Sequence, residues 1–204
     1  MNTGFADLAQ LAAAVRDCRR CPLAGLRTLA VPGEGPTQAE ILLIGEGPGQ
    51  QEDRQGRPFV GASGHLLQKL LAGVGLDRSQ VFITNVVKCR PPNNRDPLPV
   101  ELAACAPFLD NQVTLIDPLI LITLGRFSLA HFLGPGARIT QVHGRPTRLG
   151  DRLLLPMFHP AAALRNPQWQ QALEADFAQL PGLLAAARRS RPPRPDNFTQ
   201  LSLF

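Results

Sequence analysis

Nowhere in the 204 residues do 18 consecutive apolar residues occur, so a membrane-spanning helix is not expected. The N-terminus, MNTGFADLAQLAAAVRDC, lacks the charged, apolar and small-residue order of a secretory leader, and a cytosolic protein is expected. Both familiar phosphate cradles are missing: no Gly-Lys-Ser/Thr opens a helix, and no G-x-G-x-x-G has a helix directly behind it. No internal repeat is present, which removes solenoids and propellers. Cysteine is scarce, at four residues, and in a chain read as cytosolic this argues against disulfides.

What is present fits one well-packed domain of ordinary apolar content. The formal net charge of +5 favours an anionic partner, with nucleic acid the leading class. Cys18 and Cys21 form a C-x2-C pair, and Cys89 and Cys105 follow as C-x15-C. A C-x2-C pair can bring two thiolates to one metal centre, and four such ligands complete either a tetrahedral zinc site or a four-iron cluster. Spacing alone does not choose between them.

Four short, nearly continuous apolar runs read as buried strands: Ile41 to Ile44, Val81 to Val87, Leu119 to Leu124 and Leu153 to Phe158. Helical patterns lie between and around them, in DLAQLAAAVRDC, HLLQKLLAGVG, VELAACAPFLDNQV and QQALEADFAQLPGLLAAARR. The alternation predicts a three-layer α/β fold, whose ligands sit beyond the carboxyl ends of the strands. Those ends carry the unusual chemistry: GEGPGQQED, TNVVKCRPPNNRDP, LGRFS and MFHPAAALRNP. The domain is expected to span residues 1–188. Residues 189–204, rich in proline and arginine, are expected to form a flexible, solvated tail.

The stretch from Ile41 to Gly61 places Gly45, Gly47 and Gly49 directly after a strand. Pro48 removes a backbone donor that a phosphate cradle would use, and Glu46, Glu52 and Asp53 would repel a phosphate. A flat, uncharged ring fits better, with glycine backbone at its edge and Phe59 over its face. Asn85 offers a donor and an acceptor side by side, suited to the adjacent N–H and carbonyl of a pyrimidine, although it could instead tie two loops together. His159, held before Pro160, can donate a hydrogen bond to charge developing on a leaving group. His65, His131 and His143 read as structural.

GEGPGQQEDRQGRPFVGASGHLL, TNVVKCRPPNNRDP and FHPAAALR, in that order and with the cysteine quartet, resemble the iron–sulfur uracil-DNA glycosylases of bacteria and archaea known as family 4, over about residues 17–183. The resemblance implies a central four-stranded parallel sheet between helices and hydrolysis of the N-glycosidic bond of deoxyuridine. It implies that Cys18, Cys21, Cys89 and Cys105 hold a structural [4Fe-4S] cluster. It makes Phe59 the residue stacking on uracil, Asn85 the reader of its polar edge, and His159 the donor to its O2. Gly45 and Gly47 would lie against the base, with the Gly47 backbone touching it. Better-known uracil glycosylases have an aspartate where Gly47 stands. Glu46 is therefore the candidate for positioning the attacking water, with Asp53 as the alternative. Glu52 is the candidate wall against the methyl group of thymine.

Flipping a nucleotide out of a duplex leaves a gap, which Leu164 can fill while Arg165 holds a flanking phosphate. Arg90, Arg95 and Arg126 are further phosphate candidates. The last five residues, Gln200-Leu201-Ser202-Leu203-Phe204, resemble the peptide by which bacterial repair proteins dock on the replicative sliding clamp. The expectation is a monomeric bacterial enzyme, cytoplasmic and associated with the nucleoid, acting on single- or double-stranded uracil-containing DNA. The competing reading is an iron–sulfur module that binds uracil-containing DNA and excises deaminated bases weakly or broadly.

Overall fold

A computed structural model describes residues 4–191. Five strands form one sheet: β1 (Ile41–Gly45), β2 (Phe82–Asn85), β3 (Ile120–Leu124), β4 (Thr147–Leu149) and β5 (Arg152–Met157), in the order β2-β1-β3-β5-β4. β2, β1, β3 and β5 run parallel, and β4 pairs antiparallel with β5. The sheet thus has one strand more than the four expected. The extra strand, Thr147-Arg148-Leu149, has no apolar run because it lies at the exposed edge. A turn through Gly150, at φ +60, folds it back on β5. Its polar residues also blunt the sheet edge.

Every residue of β1, β2 and β3 is buried, which is why they read as continuous apolar runs. Alternation sends Ile41 and Leu43 into the larger core and Leu42 and Ile44 into a second core on the opposite face. Each such side chain contributes roughly 1.5–3 kcal/mol by leaving water. The expected second strand stops at Asn85 as regular structure, yet Val86 N–H donates to Gly45 O at 3.0 Å and Val87 N–H to Glu46 O at 3.1 Å.

Nine α-helices surround the sheet among the described residues: α1 (Leu8–Asp17), α2 (Gln50–Gln55), α3 (Ala62–Gly73), α4 (Pro99–Ile116), α5 (Arg126–Leu133), α6 (Ile139–Val142), α7 (Pro160–Ala163), α8 (Pro167–Ala178) and α9 (Leu180–Ser190). Local signals start several of them. Asp7 accepts from Gln10 N at the start of α1. Asn166 accepts from Gln168 N and Trp169 N at α8, and Glu101 reaches back to Leu98 N at 2.7 Å below Pro99 of α4. α1 and α4 pack together around a third core containing Leu11, Val15, Val87 and Phe108.

α9 continues to Ser190, with Arg188 paired to Glu40 and Arg191 paired to Asp117. The ordered fold therefore runs past residue 188, where the tail was expected to begin. Gln200 to Phe204 lie outside the described residues. No described helix is long and apolar enough to cross a membrane. The carboxyl ends of the four parallel strands share one edge, bringing Gly45, Asn85, Gly125 and His159 close together.

Candidate active site and cysteine cavity

Gly45 and Asn85 sit side by side in register at the ends of β1 and β2. A Cβ on Gly45 would lie 2.4 Å from Asn85 Oδ1 and 2.7 Å from Phe59 Cζ, so only glycine lets these groups meet. Asn85 is 1% exposed, and its Oδ1 has no hydrogen-bond partner among the described residues. A buried acceptor left open costs about 1–3 kcal/mol, which a ligand's N–H would recover.

Phe59 is held at φ +51, a conformation costly for an aromatic residue. Three contacts enforce it. Arg78 donates to Phe59 O at 2.9 Å and also to Pro58 O. Glu52 Oε1 accepts from Val60 N and Gly61 N, both at 2.9 Å. Gly64 lies so close that a Cβ there would be 1.9 Å from Phe59 O. The Phe59 ring is fixed beside the His159 ring, with centroids 5.7 Å apart and an interplanar angle of 27°.

His159 caps the short α7, its Nδ1 accepting from Ala161 N at 3.1 Å. Nδ1 is thus an acceptor, which leaves the ring proton on Nε2. Burial drives its pKa down from 6.5 to about 4, opposed by the nearby Glu52 carboxylate. The side chain is therefore a neutral N–H donor at physiological pH. Behind it, Phe158 stacks on Trp169 at 5.1 Å, and His143 leans on Phe158 while contacting buried Asp176 through Nδ1 at 3.0 Å. His143 thus belongs to this supporting stack.

These groups open into a cavity of about 520 Å³, which Glu46, Gly47, Glu52 and Arg165 also line. The Glu46 carboxyl makes no hydrogen bond among the described residues. Its pKa is raised, first by burial and then by Asp96, while Arg126 opposes the shift. The other acids of the loop are committed elsewhere. Asp53 Oδ1 accepts from Thr28 N at 2.9 Å and does not reach the cavity, and Glu52 spends Oε1 on the Phe59 loop.

At the rim, Leu164 is half exposed at the end of α7, and the adjacent Arg165 is exposed. Arg95 makes two bonds to buried Glu101, at 2.9 and 2.7 Å, Arg126 pairs with Asp96, and Arg90 donates to Asn94 at 2.7 Å. Arg95 thus anchors its own loop as well as lining the cavity.

Lys88 was not foreseen. It is 1% exposed, and its Nζ donates to Asn85 O, Thr84 Oγ1 and Gln112 Oε1 at 2.6–2.7 Å. Desolvation pushes its pKa down to about 8. A lysine between two valines and a cysteine gives no sequence sign of facing inward; only the partners Thr84 and Gln112, brought in by β2 and α4, explain it.

Cys18, Cys21, Cys89 and Cys105 border one small cavity with Arg27, Lys88 and Phe108. Arg27 Nη1 donates to Cys89 Sγ at 3.0 Å, and Lys88 N to Cys105 Sγ at 3.3 Å. Burial raises the Cys89 thiol and pushes Cys105 up to about 11. No three His, Cys, Asp or Glu side chains among the described residues form a group able to hold a single metal ion. An all-thiol donor set around a shared cavity, with N–H donors to sulfur, nonetheless fits an iron–sulfur group.

A family described as the Uracil DNA glycosylase superfamily matches residues 32–180. The chain is 47% identical to the type-4 uracil-DNA glycosylase of Sulfurisphaera tokodaii, covering 86% of this chain and 84% of that protein. It is 49% identical to the type-4 enzyme of Thermotoga maritima, over 74% of this chain and 80% of the relative. It is 37% identical to a type-5 enzyme of Thermus thermophilus, over 63% and 68%. With its glycine loop, asparagine and histidine on the shared edge of a parallel sheet and these similarities over most of its length, the chain belongs to the uracil-DNA glycosylase superfamily, among its type-4 members.

Proposed function

We infer that the protein removes uracil from DNA by hydrolysing the N-glycosidic bond of deoxyuridine, leaving an abasic site for base excision repair. The observation that carries this reading is the meeting of Phe59, the unpartnered Asn85 amide and the neutral His159 donor in one cavity. Uracil slides against the Phe59 ring. Asn85 Oδ1 accepts the ring N–H while its amide donates to the neighbouring carbonyl. As the bond to the sugar lengthens, negative charge grows on the uracil O2 side, and the Nε2–H of His159 stabilises it without transferring its proton. Glu46, with no competing hydrogen bond, orients the water and balances positive charge on the sugar. Leu164 fills the gap left by the flipped nucleotide, and Arg165 steadies the adjacent phosphate.

The four cysteines would hold a [4Fe-4S] cluster whose chemistry is structural, joining three segments distant in sequence. We place Gln200 to Phe204 in the groove of the bacterial replicative clamp, with the preceding residues as a tether that raises the local concentration near DNA. A monomer acting in the cytoplasm at the nucleoid completes the proposal. The decisive assay is release of free uracil from U·G, U·A and single-stranded DNA, compared with thymine and hypoxanthine substrates. Uracil release from all three with no thymine release is expected. Binding of uracil-containing DNA with only weak uracil release, or with release of hypoxanthine as well, would favour the module that excises deaminated bases weakly or broadly.

A further inference from the structure

At the far end of α2 from the catalytic cavity lies a second hollow, of about 590 Å³. Its wall carries Arg16, Arg19, Arg27 and Arg57 and no carboxylate among the described residues. Two of these arginines are engaged. Arg57 is bound to Glu34 through two bonds of 2.8 and 2.7 Å, and Arg27 is bound to Arg16 O and Cys89 Sγ. Arg16 and Arg19 are exposed, and their side chains make no hydrogen bond or ion pair among the described residues. Uncompensated guanidinium groups in a concavity are the chemistry of an oxyanion site.

We propose that this hollow binds a backbone phosphate of the same DNA strand whose flipped nucleotide enters the catalytic cavity. The proposal rests on the uracil-excision reading and adds a second anchor for its substrate. The surface between the two hollows supports it. Gly47, Gly49 and Glu52, before and within the first turn of α2, line the catalytic cavity, whereas Gln55 and Gly56 at the other end line the second. Six helical residues span about 9 Å, or about three stacked nucleotides at 3.4 Å each.

The loop reads as phosphate-repelling in sequence, but its folded surface does not repel. Glu52 and Asp53 are 7% and 5% exposed and face inward onto backbone N–H groups. The outward side of α2 presents Gln50, Gln51, Arg54 and Gln55, which are amides and one cation. A strand leaving the catalytic cavity over α2 meets no carboxylate of this helix before reaching Arg16 and Arg19. Leu29, 45% exposed beside them, offers apolar ground for a sugar.

The test compares the full-length protein with Arg16→Ala/Arg19→Ala and Arg16→Lys/Arg19→Lys. Binding is measured by fluorescence anisotropy and uracil release by single-turnover and steady-state kinetics. Substrates are a uracil-containing trinucleotide and longer single strands extended on the 5′ or the 3′ side. The alanine pair is expected to weaken binding and raise KM about 10-fold for a strand extended on one side only. The plot of log affinity against log salt should become shallower by about 0.7, the increment for one phosphate of a single strand. The single-turnover rate, the trinucleotide and the visible absorbance of the iron–sulfur group should not change. The lysine pair should restore most of the affinity, because a phosphate accepts either point charge. Unchanged binding of both extended strands by the alanine pair overturns the proposal. So does titration with inorganic phosphate that saturates the wild type and not the alanine pair while strand affinity stays equal, since the hollow then serves free phosphate. A wild type that binds uracil strands but releases no uracil overturns the catalytic reading alone.

Discussion

Lys88 separates two cavities built in opposite ways. Its ammonium group supports Asn85, while its backbone N–H donates to Cys105 Sγ. On the Asn85 side, the groups come from adjacent strand ends and are held by close backbone packing: Gly45 against Asn85, Gly64 against Phe59, Gly125 against His159. On the cysteine side, four thiols arrive from α1's end, the loop after β2 and α4, with burial raising the pKa of Cys89 and Cys105 while Arg27 and Lys88 oppose it. That cavity is an all-sulfur donor set, which on the proposed [4Fe-4S] reading would take an inorganic partner. On that reading recognition rests on preorganised packing, and the tie between distant segments on a ligand.

The comparison can be broken by substitutions that move activity and stability apart. Asn85→Ala is expected to lower kcat/KM for uracil release by about 10²–10³-fold, the usual loss for a preorganised polar contact. The thermal midpoint should barely shift, since Asn85 Oδ1 is already unpartnered; a large drop on melting would contradict a recognition role. Gly64→Ala should cost about 3 kcal/mol, because a Cβ 1.9 Å from Phe59 O forces that loop to move. Denaturant unfolding and uracil release should both suffer. Gly73→Ala, with nothing within 4 Å, is the neutral control.

Cys105→Ala should do the reverse of Asn85→Ala. A loss of about 2–3 kcal/mol is expected, a fall of roughly 4–12 °C in thermal midpoint, together with loss of visible absorbance. Residual protein that stays folded should still release uracil from short strands. An inactive but fully stable variant would mean that the cysteine cavity serves chemistry instead.

The smallest effect concerns pH. The Glu46 carboxyl has a raised pKa, so it loses its charge at a higher pH than an ordinary carboxylate as the solution is acidified. Activity should therefore fall on the acid side, and Glu46→Gln should flatten that limb while lowering the plateau about 10-fold. His159 should not contribute to the limb until about pH 4. Its depressed pKa acts on stability instead. Between pH 6.5 and 4 the unfolded imidazole takes up a proton that the folded one refuses, so stability falls as pH falls through this window. A His159→Gln variant should lose that slope in urea titrations.

The parts legible in the sequence were those set by local pattern. Continuous apolar runs marked β1, β3 and β5 because strands covered on both faces need no alternation. The glycine loop, Phe59, Asn85 and His159 stood out because glycine, amide and imidazole directly after such runs have few structural uses. β4 escaped because an edge strand of Thr, Arg and Leu buries too little to leave a signal. Lys88 escaped because its partners lie on other elements.

The sequence by itself determined the layers, the identity of the groups at the strand ends and the family to which the chain belongs. The tertiary structure alone decided where each acid faces. Glu46, Glu52 and Asp53 look alike in the chain, but Glu52 and Asp53 turn inward onto backbone amides that only the packed loops supply, and the Glu46 carboxyl is left without a hydrogen bond among the described residues. Direction of this kind depends on which donors come within about 3 Å after folding, and no local pattern encodes that.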